Sequence, residues 1–270
     1  MEHYTFGFIG TGHMGSALAR AACRGTDPAQ VLLANRTATK AQDLAWQLGC
    51  AAGTNQQVAQ SARFIFLGVK PHKMADLLAQ IAPILHRRTD RFVLVSMAAG
   101  LTLERLAQMA GGSLPILRIM PNTPVEVGAG MTFYAPNEQV QPEELQEFLD
   151  RMAPAGRFDH LEEDLMDAGG AVAGCGPAFA CLFLEALGDG GVACGLPRAK
   201  AYEYAAQMLL GTAQLALQTG QHPAVMKDAV CSPAGSTIQG VQTLEEGGLR
   251  AAVIRAVRSA CEKSTRLGDN

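Results

Sequence analysis

Phe6-Gly7-Phe8-Ile9-Gly10-Thr11-Gly12-His13-Met14-Gly15-Ser16-Ala17 reads as a strand, a tight turn and the start of a helix. The short apolar run Thr5 to Ile9 supplies the strand. From His13 to Arg24, Met14, Ala17, Leu18, Ala21 and Ala22 recur at helical spacing. In that context Gly10 permits the turn, Gly12 lets a pyrophosphate approach the backbone, and Gly15 lets the helix pack against the strand. The free N–H groups and positive dipole end of the helix face the anion. Gly10, Thr11, Gly12, His13, Met14 and Gly15 are therefore candidate cofactor-binding residues, and the cofactor class is a dinucleotide.

Downstream, Val31 to Ala34 is a buried-type strand ending in Asn35-Arg36-Thr37. A carboxylate about twenty positions beyond the glycines would hold the free 2′-hydroxyl of NADH. Asn35 stands there instead. Arg36 offers a planar donor fork for a phosphate and Thr37 a hydroxyl, so NADPH is favoured and NADH is the alternative. A helix over 39–48 follows, then the near-continuous apolar strand 64–69, which stops at Lys70-Pro71. Val69, Lys70 and Pro71 fall where ligands of open α/β sheets lie, and contact with the nicotinamide half is expected there. Next come a helix over 72–85, a strand over 92–96, the loop Met97-Ala98-Ala99-Gly100, a helix over 103–109 and a strand over 116–119. The strand closes in the rigid polar stretch Met120-Pro121-Asn122-Thr123-Pro124. Ala98 and Asn122 join the candidate cofactor-binding residues. A last strand over 131–135 and a covering helix over 143–152 complete the series, with no strand expected after Phe158. The alternation predicts an α/β fold, a Rossmann-type doubly wound sheet spanning 1–162, followed by an all-helical domain over 163–270.

Composition narrows the function. The chain has 270 residues, a formal charge of −3 and 48% apolar residues, and it carries no basic run that would track nucleic acid. Seven scattered cysteines without a Cys-x-x-Cys pair suit reduced thiols and argue against a metal site. The chain enters a strand too soon for a signal peptide, so a cytoplasmic protein is expected. The apolar stretch 168–184 is interrupted by glycines and Pro177 and falls short of a bilayer span, so burial inside protein is expected rather than a membrane.

In the helical part, Gly174-Cys175-Gly176-Pro177 provides small residues for close backbone approach, and a helix runs from Pro197 to about Leu217. The last helix shows the cleanest amphipathic spacing, with Leu249, Ala252, Val253, Ala256, Val257, Ala260 and Cys261 on one face. Apolar helix in such excess predicts an intertwined homodimer. Between these helices, Ser232-Pro233-Ala234-Gly235 is a tight loop feeding a helix whose Ile238, Val241 and Leu244 are expected to face inward. The first turn of that helix offers uncommitted N–H groups, flanked by the Ser232, Ser236 and Thr237 hydroxyls. Two readings stand: Ser236 or Thr237 caps the helix, or a carboxylate binds there.

The glycine stretch, Asn35-Arg36-Thr37, Val69-Lys70-Pro71, Met120 to Pro124, Gly190-Gly191-Val192-Ala193-Cys194-Gly195-Leu196-Pro197 and the 227–238 loop together resemble the pyrroline-5-carboxylate reductases, in order and over essentially the whole chain. The resemblance implies reduction of the C=N bond of a cyclic imino acid, 1-pyrroline-5-carboxylate, to L-proline by NAD(P)H. It also implies a helical dimerisation domain whose dimers assemble further, commonly into decamers. It maps substrate binding onto Ser232, Gly235, Ser236 and Thr237, with Thr237 as the candidate catalytic residue near the ring nitrogen. Three departures stand out: Ala234 where a second glycine is usual, Cys175 where a serine is usual, and Phe179 where a tyrosine is frequent. Two other readings remain, a β-hydroxyacid-dehydrogenase-like oxidoreductase and a non-catalytic NADPH-binding protein. The first would need a lysine early in the second domain, and none occurs between Leu161 and Arg198. The proline-forming reading requires the helix ends near residues 12 and 236 to share a crevice, within one subunit or with a neighbour.

Overall fold

The computed structural model describes residues 3–267. An eight-stranded sheet forms in the order β3-β2-β1-β4-β5-β6-β7-β8. In chain order, β1 is Tyr4–Ile9, α1 His13–Gly25, β2 Val31–Ala34, α2 Ala38–Leu48, β3 Ala51–Gly53, α3 Asn55–Ser61, β4 Ala62–Leu67, α4 Met74–Leu85, β5 Val93–Ser96, α5 Leu103–Met109, β6 Ile116–Met120, β7 Gly130–Pro136, α6 Pro142–Met152 and β8 Gly156–His160. Every neighbouring pair is parallel except β6 with β7. The order reverses between β1 and β4, so the two strands flank the switch point at which such sheets bind ligands.

Alternation along the strands divides the interior into two cores, because successive side chains leave opposite faces of a sheet. Phe6, Phe8, Leu33, Phe64, Phe66, Val93 and Val95 point to the face covered by α1, α2 and α6. Ile9, Leu32, Ile65, Leu67 and Leu94 point to the face covered by α3, α4 and α5. Phe8 and Phe66 stack at 4.3 Å between centroids in the first core.

Three elements depart from the sequence-based expectation. β3 and α3 were not anticipated: β3 has three small residues and no apolar run. The start of α3 does carry a local signal, the capping box of Thr54 and Gln57, in which each side chain meets the other's backbone N–H. At the far edge β8 runs from Gly156 to His160, where polar Arg157, Asp159 and His160 hide a strand with one partner only.

The chain divides into two compact units, one running up to Gly174 with the stretch from Ala260, the other Cys175–Ser259. Between β8 and the second unit lies the short helix α7, Met166–Gly169. The remaining helices are α8 Gly176–Ala193, α9 Arg198–Thr219, α10 Pro223–Ala229, α11 Ser236–Glu246 and α12 Leu249–Leu267. α8 packs closely on α9, since a Cβ on Gly188 would run into the Tyr202 ring, and Arg198 of α9 pairs with Asp189 of α8. Beyond that pair little is covered: Gly188 is the one buried residue of α8, and α10 and α11 have none. The stretch 163–193 is long and apolar enough to cross a membrane by length and composition, yet 11% of its most apolar window is buried. The burial expected for it from sequence is not supplied by this chain.

Candidate active site

At the end of β1 the chain turns at Gly10, whose φ of +101° suits glycine. A Cβ on Gly10 would collide with the Gly68 carbonyl, and one on Gly68 or Gly15 with the Gly10 carbonyl. Backbone thus touches backbone at the switch point, locked by hydrogen bonds from Gly10 N–H to the Ala34 carbonyl and from Gly68 N–H to the Ile9 carbonyl, both 2.8 Å. Gly12 differs, because a Cβ there would meet nothing within 4 Å. It opens onto free space as the N-cap of α1, with no side-chain cap and no acidic residue in the first turn. The first intrahelical bond runs from Ser16 N–H to the Gly12 carbonyl, leaving the N–H groups of His13, Met14 and Gly15 without helical partners. The Thr11 hydroxyl oxygen is buried beside them and has no hydrogen-bond partner. An orphaned donor, three open N–H groups and a cleared approach fit the pyrophosphate of a dinucleotide.

Asn35, Arg36 and Thr37 lie at the carboxyl end of β2, with Asn35 Nδ2 donating to the Thr37 carbonyl at 3.3 Å. Arg36 and Thr37 are exposed, and the N-terminus of α2 begins after Thr37 with neither a side-chain cap nor an acidic residue in its first turn. That setting suits an additional phosphate. Val69, Lys70 and Pro71 follow β4 at the same sheet edge, where Lys70 is exposed and Pro71 opens a short 3-10 turn. Ala98 is buried in the second core after β5, so its backbone is what remains to meet a ligand.

Asn122 is a brace. Its Nδ2 donates to the Ala173 carbonyl at 3.0 Å, and its Oδ1 accepts from Met131 N–H at 2.9 Å. A second brace was not anticipated from sequence. Arg118, 3% exposed in β6 opposite Ser96 of β5, pairs with Glu163 at 2.9 Å and with Asp167 at 3.8 Å. Glu163 Oε1 also accepts from Leu103 N–H at 2.7 Å, tying the start of α5 to the same point. The available signal was an arginine inside the otherwise apolar strand Ile116–Met120. A buried guanidinium is expected to be paired.

In the second unit, Ser232 to Gly235 is a turn closed by Gly235 N–H donating to the Ser232 carbonyl at 3.0 Å. Pro233 occupies its second position and Ala234 its third, where a type II turn favours glycine or asparagine. Ala234 adopts a φ of +56°, and among the described residues it is the one non-glycine with positive φ. A Cβ on Gly235 would strike the Ser232 hydroxyl. Gly235 is the N-cap of α11 and no side chain caps that helix, so the capping reading of Ser236 and Thr237 does not hold. Both hydroxyls are exposed beside open N–H groups. Ile238 and Leu244, expected to face inward, are 37% and 45% exposed, because periodicity identifies an apolar face without saying which chain covers it.

A sequence model described as pyrroline-5-carboxylate reductase dimerisation matches residues 163–267, and one described as NADP oxidoreductase, coenzyme F420-dependent, matches residues 5–100. The chain is 41% identical over 264 residues to pyrroline-5-carboxylate reductase of Escherichia coli K12, covering 97% of both chains. It belongs to the pyrroline-5-carboxylate reductase family. The match extends to pyrroline-5-carboxylate reductase 3 of Macaca fascicularis, 36% identical across 97% of this chain and 95% of that one. Among solved structures, the Plasmodium falciparum pyrroline carboxylate reductase with NADP bound superposes with a TM-score of 0.88 at 31% identity, covering 99% of each chain. The Streptococcus pyogenes 1-pyrroline-5-carboxylate reductase gives 0.86 at 32%, covering 97% of this chain and 98% of that one.

For a pyrroline-5-carboxylate reductase, the departure at Ala234 carries a local cost. An L-residue in the left-handed region costs roughly 1–2 kcal/mol, while glycine adds roughly 0.5–1 kcal/mol of unfolded-state entropy. Ala234→Gly is expected to stabilise the protein by about 0.5–1 kcal/mol in urea unfolding at fixed protein concentration. A loss of stability would show that the turn does not strain Ala234.

Proposed function

We propose that the chain reduces 1-pyrroline-5-carboxylate to L-proline, the last step of proline biosynthesis, with NADPH as the preferred hydride donor and NADH as the alternative. The observation that carries this reading is the uncapped N-terminus of α11 behind the 232–235 turn, in a chain 41% identical to a pyrroline-5-carboxylate reductase over 97% of its length. The residues that would hold the dinucleotide are Gly10 to Gly15 at the pyrophosphate, Asn35, Arg36 and Thr37 at the adenine ribose, and Val69, Lys70, Pro71, Ala98 and Asn122 toward the nicotinamide. Bound NADPH supplies the hydride from C4 of its nicotinamide.

The protein's own contribution is placement and field. The first-turn N–H groups of α11, with the Ser232 and Ser236 hydroxyls and the Gly235 backbone, bind the substrate carboxylate. The Thr237 hydroxyl makes the polar contact to the ring nitrogen and assists proton delivery there. A protonated imine already accepts hydride well, so the loop needs no histidine or glutamate; Asp228, its one carboxylate, is paired with Lys227 at 2.6 Å.

The chain is a homo-oligomer. Its exposed Leu182, Met208, Leu210, Leu215, Val253 and Ile254 support an intertwined dimer through the helical part. Such dimers would assemble further, a decamer being the family's common form, and the proposed location is the cytoplasm.

Purified protein is expected to oxidise NADPH when given 1-pyrroline-5-carboxylate, and to leave a 3-hydroxy acid with NADP unchanged; the reverse pattern would contradict the assignment. Thr237→Ala removes one polar contact and should lower kcat/KM roughly 10–100-fold, equivalent to about 1.5–3 kcal/mol. Unchanged kinetics would exclude Thr237 from the reaction. Arg36→Asp is expected to invert the ratio of kcat/KM for NADPH over NADH, and a ratio that stays put would leave the 2′-phosphate without its assigned partner.

A further inference from the structure

Seven cysteines are spread through the chain, and none of those described is in a disulfide. The fold brings two of them together from separate elements. Cys23 lies in the last turn of α1, and Cys50 follows α2 at the entry to β3. Both side chains rest against the same core, on the sheet face covered by α1 and α2. Arg20 Nη2 of α1 donates to Gln47 Oε1 of α2 at 3.1 Å. Cys23 and Cys50 each stand three residues beyond one of those partners, so the two stretches run side by side where the thiols meet. The two thiols come within interaction range of each other.

Their settings differ. Cys50 forms part of the wall of an open surface depression of about 480 Å³, together with His3, Tyr4, Ala29 and Ala51. Cys23 is not among those lining residues. The neighbouring Cys23 side chain lowers the Cys50 thiol below its ordinary range, against the opposing effect of burial. The same contact, with burial, pushes Cys23 up, while the nearby Arg20 acts in the opposite direction. A reachable thiol at the surface with a second thiol behind it is the arrangement of an attacking cysteine with a resolving one.

We propose that Cys50 is a modification site for small disulfides of the glutathione class, and that Cys23 resolves the adduct into an intramolecular Cys23–Cys50 disulfide. The Cys50 thiolate attacks one sulfur of the small disulfide, forming a mixed disulfide and releasing one thiolate. Cys23 then gives up its proton to solvent and attacks the Cys50 sulfur, releasing the second small thiol. Two protein thiols lose two electrons in total, and the small disulfide is reduced to two thiols. The new bond staples the end of α1 to the α2–β3 turn. Parallel topology puts that junction at the amino edge of the sheet, opposite the start of α1 and the end of β2. The staple therefore raises thermal stability and leaves NADPH oxidation intact.

The reduced full-length protein is treated with oxidised glutathione, the remaining thiols are alkylated, and tryptic peptides are read by mass spectrometry. The expected product joins the peptides 21–24 and 41–63, and the oxidised protein melts above the reduced one with its NADPH oxidation rate unchanged within about twofold. Cys23→Ser should accumulate glutathione on Cys50, and Cys50→Ser should leave Cys23 reduced. In the wild-type protein, limiting iodoacetamide should label Cys50 before Cys23, a reading that needs no variant to fold. Absence of the linked peptides, a mixed disulfide on Cys50 that never resolves, or faster labelling of Cys23 would overturn the proposal.

Discussion

Where β1 and β4 end, three glycines let carbonyls and α-carbons come closer than any side chain would allow. Gly10, Gly15 and Gly68 would each drive a Cβ into a neighbouring backbone carbonyl, so the turn, the helix start and the adjacent strand end can occupy this space only without side chains. The contact aims the N-terminus of α1 at the switch point of the sheet. Gly12 has no such role in packing, since the volume where its Cβ would stand is open. Packing thus requires three of the four glycines, and the fourth leaves open space before the N-terminus of α1.

The same edge is stiffened from below by buried polar groups. Arg118 ties β6 to Glu163 and, through it, to the first residue of α5, while Asn122 joins the 120–124 stretch to Ala173 and Met131. These bonds hold loops that the α/β topology alone would leave free. Removing one partner of a buried pair leaves an uncompensated polar group, a cost of roughly 3–5 kcal/mol for a fully buried ion pair and less where, as at Glu163, one member reaches solvent. The second unit has few such restraints within the chain. Its helices expose Leu182, Met208 and Leu215, and the family to which the chain belongs has a dimerisation domain over this stretch.

What the sequence made legible follows from which forces are local. Apolar runs such as Phe64 to Leu67 and Val31 to Ala34 declare buried parallel strands, because both faces of the sheet must be covered. β3 lacked that signature and β8 was masked by edge polarity. The glycine turn was readable because its spacing encodes backbone conformation. Ala234 was legible only through the resemblance, as a departure where the family usually has glycine, and its positive φ came from the fold. The Arg118 brace and the Cys23–Cys50 pair were not, since each joins residues far apart in sequence through a geometry that only the folded chain supplies. The direction faced by Ile238 and Leu244 depends on a surface outside the chain, and no periodicity within it carries that information.

On the proposed function, the open space at Gly12, ringed by the free N–H groups of α1 and the Thr11 hydroxyl, would receive the pyrophosphate of NADPH. Gly12→Ala tests it directly, because a methyl group there touches no protein atom yet occupies the anion's approach. Titration of NADPH against the variant, with thermal unfolding recorded alongside, should show a normally folded protein whose affinity falls roughly tenfold or more, about 1.4 kcal/mol per factor of ten. A normally folded variant that binds NADPH as tightly as the wild type would show that the pyrophosphate lies elsewhere.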